Sequence, residues 1–190
     1  LALALGVGAA SLAPLWGRNL RRTPLFTWGM VISHFGIAVA LAGMASESAF
    51  MKETLIALRP GQTASVGPFQ VRFAGVEPVA GPNWTAVEAR LVATRNGWDY
   101  DMRPQNRLFP TPPTPTSEAA IQSVWDGQLY IAIGDEDQQG RWQLRLWWKP
   151  FVTLIWLGGI LVALGGFLSL IGRLWRARRA KPLEEEAVYA

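Results

Sequence analysis

The sequence predicts a membrane protein of the α plus β class, in which two transmembrane helices flank a small antiparallel β-barrel or sandwich-like extracytoplasmic domain. Two observations lead to this fold class. First, the runs at 25–45 and 151–172 contain no charged side chain and are long enough to cross a bilayer as helices. Second, apolar and polar residues between these runs alternate with a period of two, which is typical of β-strands.

The chain starts with an apolar stretch at 1–16, which is shorter than the roughly 20 residues that span a bilayer. No basic residues precede it, as they would in a signal peptide, so we expect a truncated transmembrane helix. A loop at 17–24 then leads to the first complete transmembrane helix, at 25–45. The second complete helix is expected at 150–172.

Basic residues cluster at the outer ends of the two complete helices: Arg18, Arg21 and Arg22 before the first, and Arg173, Arg176, Arg178, Arg179 and Lys181 after the second. Because cytoplasmic flanks carry such an excess, residues 17–24 and the tail at 173–190 are expected in the cytoplasm. The β-rich domain at 46–149 then lies on the other side. It contains ten basic and eleven acidic residues, so nucleic acid is excluded as a partner.

Both complete helices carry small residues at helical spacing, which predicts close packing of helices. These residues are Ser33, Gly36, Ala40 and Gly43 in the first helix and Gly159, Ala163 and Gly166 in the second. Tryptophans near the predicted membrane boundaries are expected to anchor the helices in the headgroup region. They are Trp28, Trp147, Trp148, Trp156 and Trp175.

Within the middle segment, the period-two pattern predicts strands at 69–73, 85–93, 129–133 and 142–148. Turn sequences separate the apolar runs: Pro60-Gly61, Gly81-Pro82-Asn83, Asn96-Gly97, Asp126-Gly127 and the loop at 134–140. The prolines at 110, 112, 113 and 115 predict a segment that is extended and unpaired. The chain has no cysteine, which excludes disulfides and cysteine-ligated metal.

His34 is the only histidine and falls near the centre of the first complete helix. An imidazole at that depth is costly unless it has a polar partner or a metal. A neutral imidazole nitrogen is a ligand of haem iron, and it is equally able to form a hydrogen bond to a neighbouring helix. The residues alone leave both roles open.

Several segments follow one another in a distinctive order: WGMVISHFGIA from Trp28, AGMAS from Ala42 with Ala49-Phe50, GPNWT from Gly81, and GRWQLRLWWKP from Gly140. In this order, over essentially the whole chain, they resemble the C-terminal third of the CcmF/NrfE family of cytochrome c-type biogenesis proteins. The resemblance implies a multi-pass haem lyase of the bacterial inner membrane, with its β-domain in the periplasm. Such an enzyme attaches haem covalently to apocytochrome c.

The resemblance also implies a cofactor and partners. The family carries a b haem between two transmembrane histidines, and His34 matches the second of these, as an axial ligand of the haem iron. The implied partners are membrane lipid, the haem chaperone CcmE, CcmH, apocytochrome c and the remaining N-terminal helices.

The family's tryptophan-rich segment and its periplasmic histidines lie upstream, so this fragment alone is expected to be inactive. The alternative is a non-enzymatic, membrane-anchored β-domain of an assembly or sensor complex, in which His34 only cross-links helices.

Overall fold

The structure is a computed structural model that describes residues 1–180. It divides into two compact units. The helical unit contains Leu1–Ser46 together with the residues from Val152 onward, and the β-unit contains Glu47–Phe151. The part of the predicted tail at 181–190, which includes Lys181, lies outside the described residues.

The described residues form three α-helices: α1 is Ala2–Leu12, α2 is Leu25–Phe50 and α3 is Thr153–Ala180. Short 3-10 helices at Ala13–Leu15 and Leu20–Arg22 lie between α1 and α2. In this part of the chain, α2 and α3 are long and apolar enough to cross a membrane. α2 ends five residues later than the uncharged run that predicted it, because polar Ser46, Glu47 and Ser48 continue the helix to Phe50.

Helices α2 and α3 pack at very short range through glycines. A methyl group added to Gly36 would lie 2.8 Å from both the Gly158 oxygen and the Val162 nitrogen. The small residues predicted on α2 lie at this contact. On α3 the contact with α2 is made by Gly158, Gly165 and Gly172, while Gly159 and Gly166 have no neighbouring atom within 4 Å, so their packing against other helices stays a prediction.

The β-unit contains strands β1 to β10, with these bounds: Lys52–Leu58, Thr63–Val66, Phe69–Ala80, Thr85–Arg95, Trp98–Met102, Gln105–Pro110, Pro113–Glu118, Ala120–Val124, Gly127–Glu136 and Trp142–Pro150. They form two antiparallel sheets, one ordered β1-β10-β9-β8 and the other β2-β3-β4-β6-β7, with β5 paired to β4. The β-domain is therefore a sandwich and not a barrel, which were the two predicted alternatives.

The sandwich core comes from the inward side chains of alternating residues. Phe73, Leu91 and Ile131 are completely buried between the sheets. Trp148 is also buried, with its ring centroid 5.4 Å from that of Phe69. The expectation that Trp148 anchors the protein in the membrane is therefore wrong, because this residue continues the inward-facing series of β10.

The proline-rich segment is extended but not unpaired, so this expectation is wrong in part. Strands β6 and β7 pair along their length, with Pro110 opposite Pro113 and Leu108 opposite Pro115. β7 is the last strand of its sheet. Proline is tolerated in an edge strand because its missing N–H removes no hydrogen bond to a second neighbour.

The first and last strands of the sandwich are neighbours. β1 pairs antiparallel with β10, with Lys52 opposite Trp148. Just outside this pair, the Lys149 ammonium lies 3.2 Å from the Glu47 carboxylate. The two chain ends of the β-unit therefore lie close together.

Candidate functional site

His34 lies in the third turn of α2, and its ring is oriented by its own helix. Its Nδ1 lies 2.8 Å from the backbone oxygen of Met30, one turn earlier. A carbonyl oxygen only accepts hydrogen bonds, so Nδ1 carries the proton, and in the neutral ring the lone pair is then on Nε2. Within residues 1–180 this is the only hydrogen bond of His34, which leaves Nε2 available to a metal ion.

The other faces of α2 are occupied by its neighbours. Gly29, Gly36 and Gly43 face α3, and Gly8 of α1 approaches Ala38 on a second face. The third face carries His34 together with Met30, Ile37 and Met44, and these four side chains are all exposed. His34 thus lies on an apolar face of α2 that neither α1 nor α3 covers.

The link between α2 and α3 is made by the residue next to His34. The Ser33 hydroxyl donates a hydrogen bond to the Val162 oxygen of α3, at 2.9 Å. A methyl group added to Gly165 would lie 2.5 Å from the Gly29 oxygen, so the helices meet at backbone distance on this side. Ser33 therefore forms a hydrogen bond between helices, the role that the alternative hypothesis assigns to His34.

The nitrogen that His34 offers, Nε2, fits one axial position of a haem. Neutral imidazole Nε2 is a common ligand of haem iron, and a hydrogen bond from Nδ1–H to a backbone carbonyl orients such ligands in metalloproteins. The chain has a single histidine, so it supplies one nitrogen ligand of this kind. Among the described residues, no group of three or more His, Asp or Glu side chains could hold a metal ion.

The most buried ion pair of the sandwich has a structural role. The Arg95 guanidinium donates two hydrogen bonds to the Asp126 carboxylate, at 2.8 and 2.7 Å, and lies over the rings of Phe69 and Trp148. These hydrogen bonds from Arg95 hold the pKa of Asp126 below its ordinary value, and they raise the pKa of Arg95. Both groups are engaged with each other, and the pair packs against two aromatic residues of the core.

The sequence identifies His34 as a candidate ligand, but the Met30 carbonyl that orients its ring was not predicted. The position of Met30 four residues earlier was the available signal, because the side chain of a helical residue points back toward the preceding turn. The Arg95–Asp126 pair carries no such signal, since Arg95 ends β4, Asp126 lies in the turn between β8 and β9, and the two are 31 positions apart.

The fold and the site define a class of protein: a membrane protein in which a β-sandwich is inserted between two helices long enough to span the bilayer. Residues 49–150, just over half of the chain, match the family described as the CcmF C-terminal β-sandwich. The chain therefore belongs to the CcmF family of cytochrome c-type biogenesis proteins.

Relatives match nearly the whole chain. It is 32% identical to the cytochrome c-type biogenesis protein CycK of Rhizobium meliloti (strain 1021), covering 98% of this chain and 28% of that protein. It is 34% identical to the cytochrome c-type biogenesis protein CcmF of Escherichia coli (strain K12), covering 94% of this chain and 28% of the relative.

A solved structure of cytochrome c haem lyase CcmF has the same fold, with a TM-score of 0.63 and 24% identity over 89% of this chain and 28% of that one. The chain thus spans about 28% of the length of each of these three proteins.

Proposed function

We propose that this chain is the C-terminal part of a haem lyase that attaches haem covalently to apocytochrome c, and that His34 supplies one axial ligand to a transmembrane b haem. Membership of the CcmF family supports the general role. The observation that carries the ligand assignment is the hydrogen bond from Nδ1 of His34 to the Met30 oxygen, which leaves Nε2 free.

The residues of this chain would bind and orient the cofactor. His34 would hold the iron from one side, and a second histidine outside this chain would complete the axial pair. A bound b haem supplies one-electron redox chemistry, and its axial ligands help to set its potential. The Met30 carbonyl keeps the imidazole in the tautomer with a basic Nε2. The apolar side chains of Met30, Ile37 and Met44 keep this face dry once other helices cover it.

The proposed setting is the bacterial inner membrane, with α2 and α3 as transmembrane helices in place of the segments predicted at 25–45 and 150–172, and the sandwich in the periplasm. The arginines before α2 and at the end of α3 support this orientation. The proposed partners are CcmE, CcmH and apocytochrome c, together with the remaining N-terminal helices. Because the chain spans about 28% of its relatives, we expect it to be inactive without the rest of the protein.

The alternative is a non-enzymatic anchored β-domain in which His34 cross-links helices. Two contacts count against His34 as the link between α2 and α3. The described hydrogen bond of His34 stays within α2, whereas Ser33 makes the bond to α3. A cross-linking histidine would be expected to direct a ring nitrogen to the neighbouring helix.

The test is to replace His34 with Gly in the intact protein and to quantify bound b haem by optical spectroscopy. We expect the variant to lose most of its b haem and to regain it when imidazole is added, because free imidazole fills the vacated ligand position. Ser33→Ala is the matched control, since it removes the adjacent side chain that bonds to α3 and leaves the proposed ligand in place.

The two hypotheses give opposite results. A ligand role predicts haem loss in His34→Gly and normal haem in Ser33→Ala. A cross-linking role predicts that both variants keep their haem and show similarly weakened helix packing. Unchanged haem content in His34→Gly would refute the ligand assignment.

A further inference from the structure

The helical unit carries positive charge without negative charge among its described residues. Residues 1–46 and 152–180 contain no Asp or Glu. The arginines of this stretch whose side chains are described are Arg18, Arg21, Arg22, Arg173, Arg176 and Arg178. An arginine keeps its positive charge in a protein, so these groups attract anions.

Two of these arginines line cavities where α2 begins beside the end of α3. A methyl group added to Gly172 would lie 2.5 Å from the Phe26 nitrogen, so the first turn of α2 directly contacts α3. The guanidinium carbon of Arg176 lies 5.8 Å from the centre of the Phe26 ring. One cavity, of about 420 Å³, is lined by Phe26, Arg173, Arg176 and Ala177.

A second cavity, of about 460 Å³, adjoins the first and is lined by Pro24, Leu25, Phe26, Gly172, Trp175 and Arg176. Arg176 and Phe26 belong to both. Trp175 leaves 60% of its surface exposed at this place. The two cavities together therefore present guanidinium groups beside an apolar and aromatic wall.

This combination matches the chemistry of a phospholipid. Guanidinium groups bind phosphate oxygens through paired, charge-assisted hydrogen bonds. The cavities also lie at the first turn of α2, where helix N–H groups and the helix dipole favour an anion. A free phosphate would use these groups but would gain nothing from Leu25, Phe26 or Trp175. A lipid would use both, since tryptophan at a helix end prefers the headgroup region and the apolar wall suits an acyl chain.

We infer that this end of the helical unit binds an anionic phospholipid, with its phosphodiester held by Arg173 and Arg176 and its glycerol and upper acyl region against Phe26 and Trp175. The lipid would lie in these two open depressions, beside the contact of α2 with α3. The inference is independent of the haem proposal, because His34 lies on another face of α2 and contributes nothing to either cavity.

The experiment measures binding of phosphatidylglycerol to the intact, detergent-solubilised protein by native mass spectrometry, with phosphatidylcholine as the neutral comparison. We expect the double variant Arg173→Gln/Arg176→Gln to bind phosphatidylglycerol about thirtyfold more weakly, since each arginine near an anionic lipid contributes a factor of about five. Binding of phosphatidylcholine should be weak in the unmodified protein and should change little in the variant.

The matched control is Arg18→Gln/Arg178→Gln, which removes the same charge from the same unit and touches neither cavity. It should keep the affinity for phosphatidylglycerol. Equal weakening in both double variants would overturn the inference, because it would mean that binding follows net charge. Undiminished binding in Arg173→Gln/Arg176→Gln would overturn it as well.

Two further measurements complete the test. Inorganic phosphate is added as a competitor, and displacement of phosphatidylglycerol at equal concentration would mean that the ligand is a soluble phosphate, which overturns the lipid assignment. If the glutamine variant is not recovered folded, Arg173→Lys/Arg176→Lys takes its place. It keeps the charge but loses the paired hydrogen bonds, so affinity should fall several-fold, and unchanged affinity would refute the site.

Discussion

The helical unit and the β-sandwich are held together by opposite kinds of residue. Between α2 and α3 the contact is made by glycines, while large side chains such as Trp156 and Phe167 are 69% and 62% exposed. In the sandwich, Phe73 and Leu91 are completely buried. Water drives large apolar side chains together, whereas lipid tails are as apolar as leucine and leave close backbone contact as the main attraction between helices.

Because of this difference, the two units lose stability through different changes in side-chain size. Removing atoms is costly in the sandwich, where it leaves a cavity, and tolerated on the exposed faces of the helices. Adding atoms is costly between the helices, where the backbones already touch. Each of the following substitutions tests one side of this comparison.

The largest effect is expected from removing a core ring of the sandwich. Phe73→Ala should lower the free energy of unfolding of the β-unit by about 3–5 kcal/mol, because the ring is fully buried and its loss leaves a cavity. Hydrogen exchange of the sandwich amides in the intact protein measures this loss of stability. Phe167→Ala on α3 is the control, and equal effects of the two substitutions would contradict the comparison.

The next effect is expected from adding one methyl group between the helices. Gly165→Ala places that group 2.5 Å from the Gly29 oxygen and should cost about 3 kcal/mol as α2 and α3 separate. Gly166→Ala is a close control, because no atom lies within 4 Å of its added methyl group. Unfolding of the intact protein in sodium dodecyl sulfate reports the difference, and two identical curves would refute the proposed contact.

The smallest of the three effects is expected at the Arg95–Asp126 pair. Asp126→Asn should cost about 2 kcal/mol at neutral pH, because a partly buried guanidinium loses its carboxylate. Glu77→Gln is the control. It breaks the ion pair with Arg90, whose side chain is 51% exposed, and should cost less than about 1 kcal/mol.

The pH dependence gives a second measurement on the same variant. Hydrogen bonds from Arg95 lower the pKa of Asp126 in the folded protein, so the pair stabilises the fold above the ordinary aspartate pKa. This contribution is lost as the pH falls below that value through the lowered pKa. Asp126→Asn should therefore lose less stability than the unmodified protein over this acidic range, and parallel pH profiles would contradict the assignment.

The main elements of the fold could be predicted because their signals are local. Long uncharged runs indicated α2 and α3, and strict alternation indicated β3, β4, β9 and β10. The other six strands, β1, β2 and β5 to β8, were not predicted; WDYDM of β5 and PTPTSE of β7, for example, are too polar or too rich in proline to resemble strands. Their pairing depends on neighbouring strands, which a local pattern does not identify.

The contact face of α3 shows another limit of local patterns. Gly158 and Gly159 are adjacent, as are Gly165 and Gly166, so two neighbouring faces carry glycine at nearly the same spacing. Only the position of α2 decides between them. Trp148 is different, because the alternation that predicted β10 already placed it on the same face as Leu144 and Leu146.

The candidate site was partly predictable for a simple reason. A single histidine within an uncharged run is conspicuous, because its burial in lipid demands a partner. The spacing to Met30 indicates a possible partner for the ring, but it does not show which ring nitrogen makes the 2.8 Å contact and which one stays available. The cavities at Arg173 and Arg176 likewise depend on the approach of Phe26 to Gly172, which spacing along the chain does not reveal.

The pairing of β1 with β10 has a consequence for how such a protein changes over evolutionary time. A domain whose chain ends meet, here with Glu47 and Lys149 in an ion pair, can be gained, lost or exchanged within a helical hairpin without a long connecting linker. The sandwich is in this sense a self-contained module. Residues on its surface can change to fit new partners without any change in α2, the helix that carries His34.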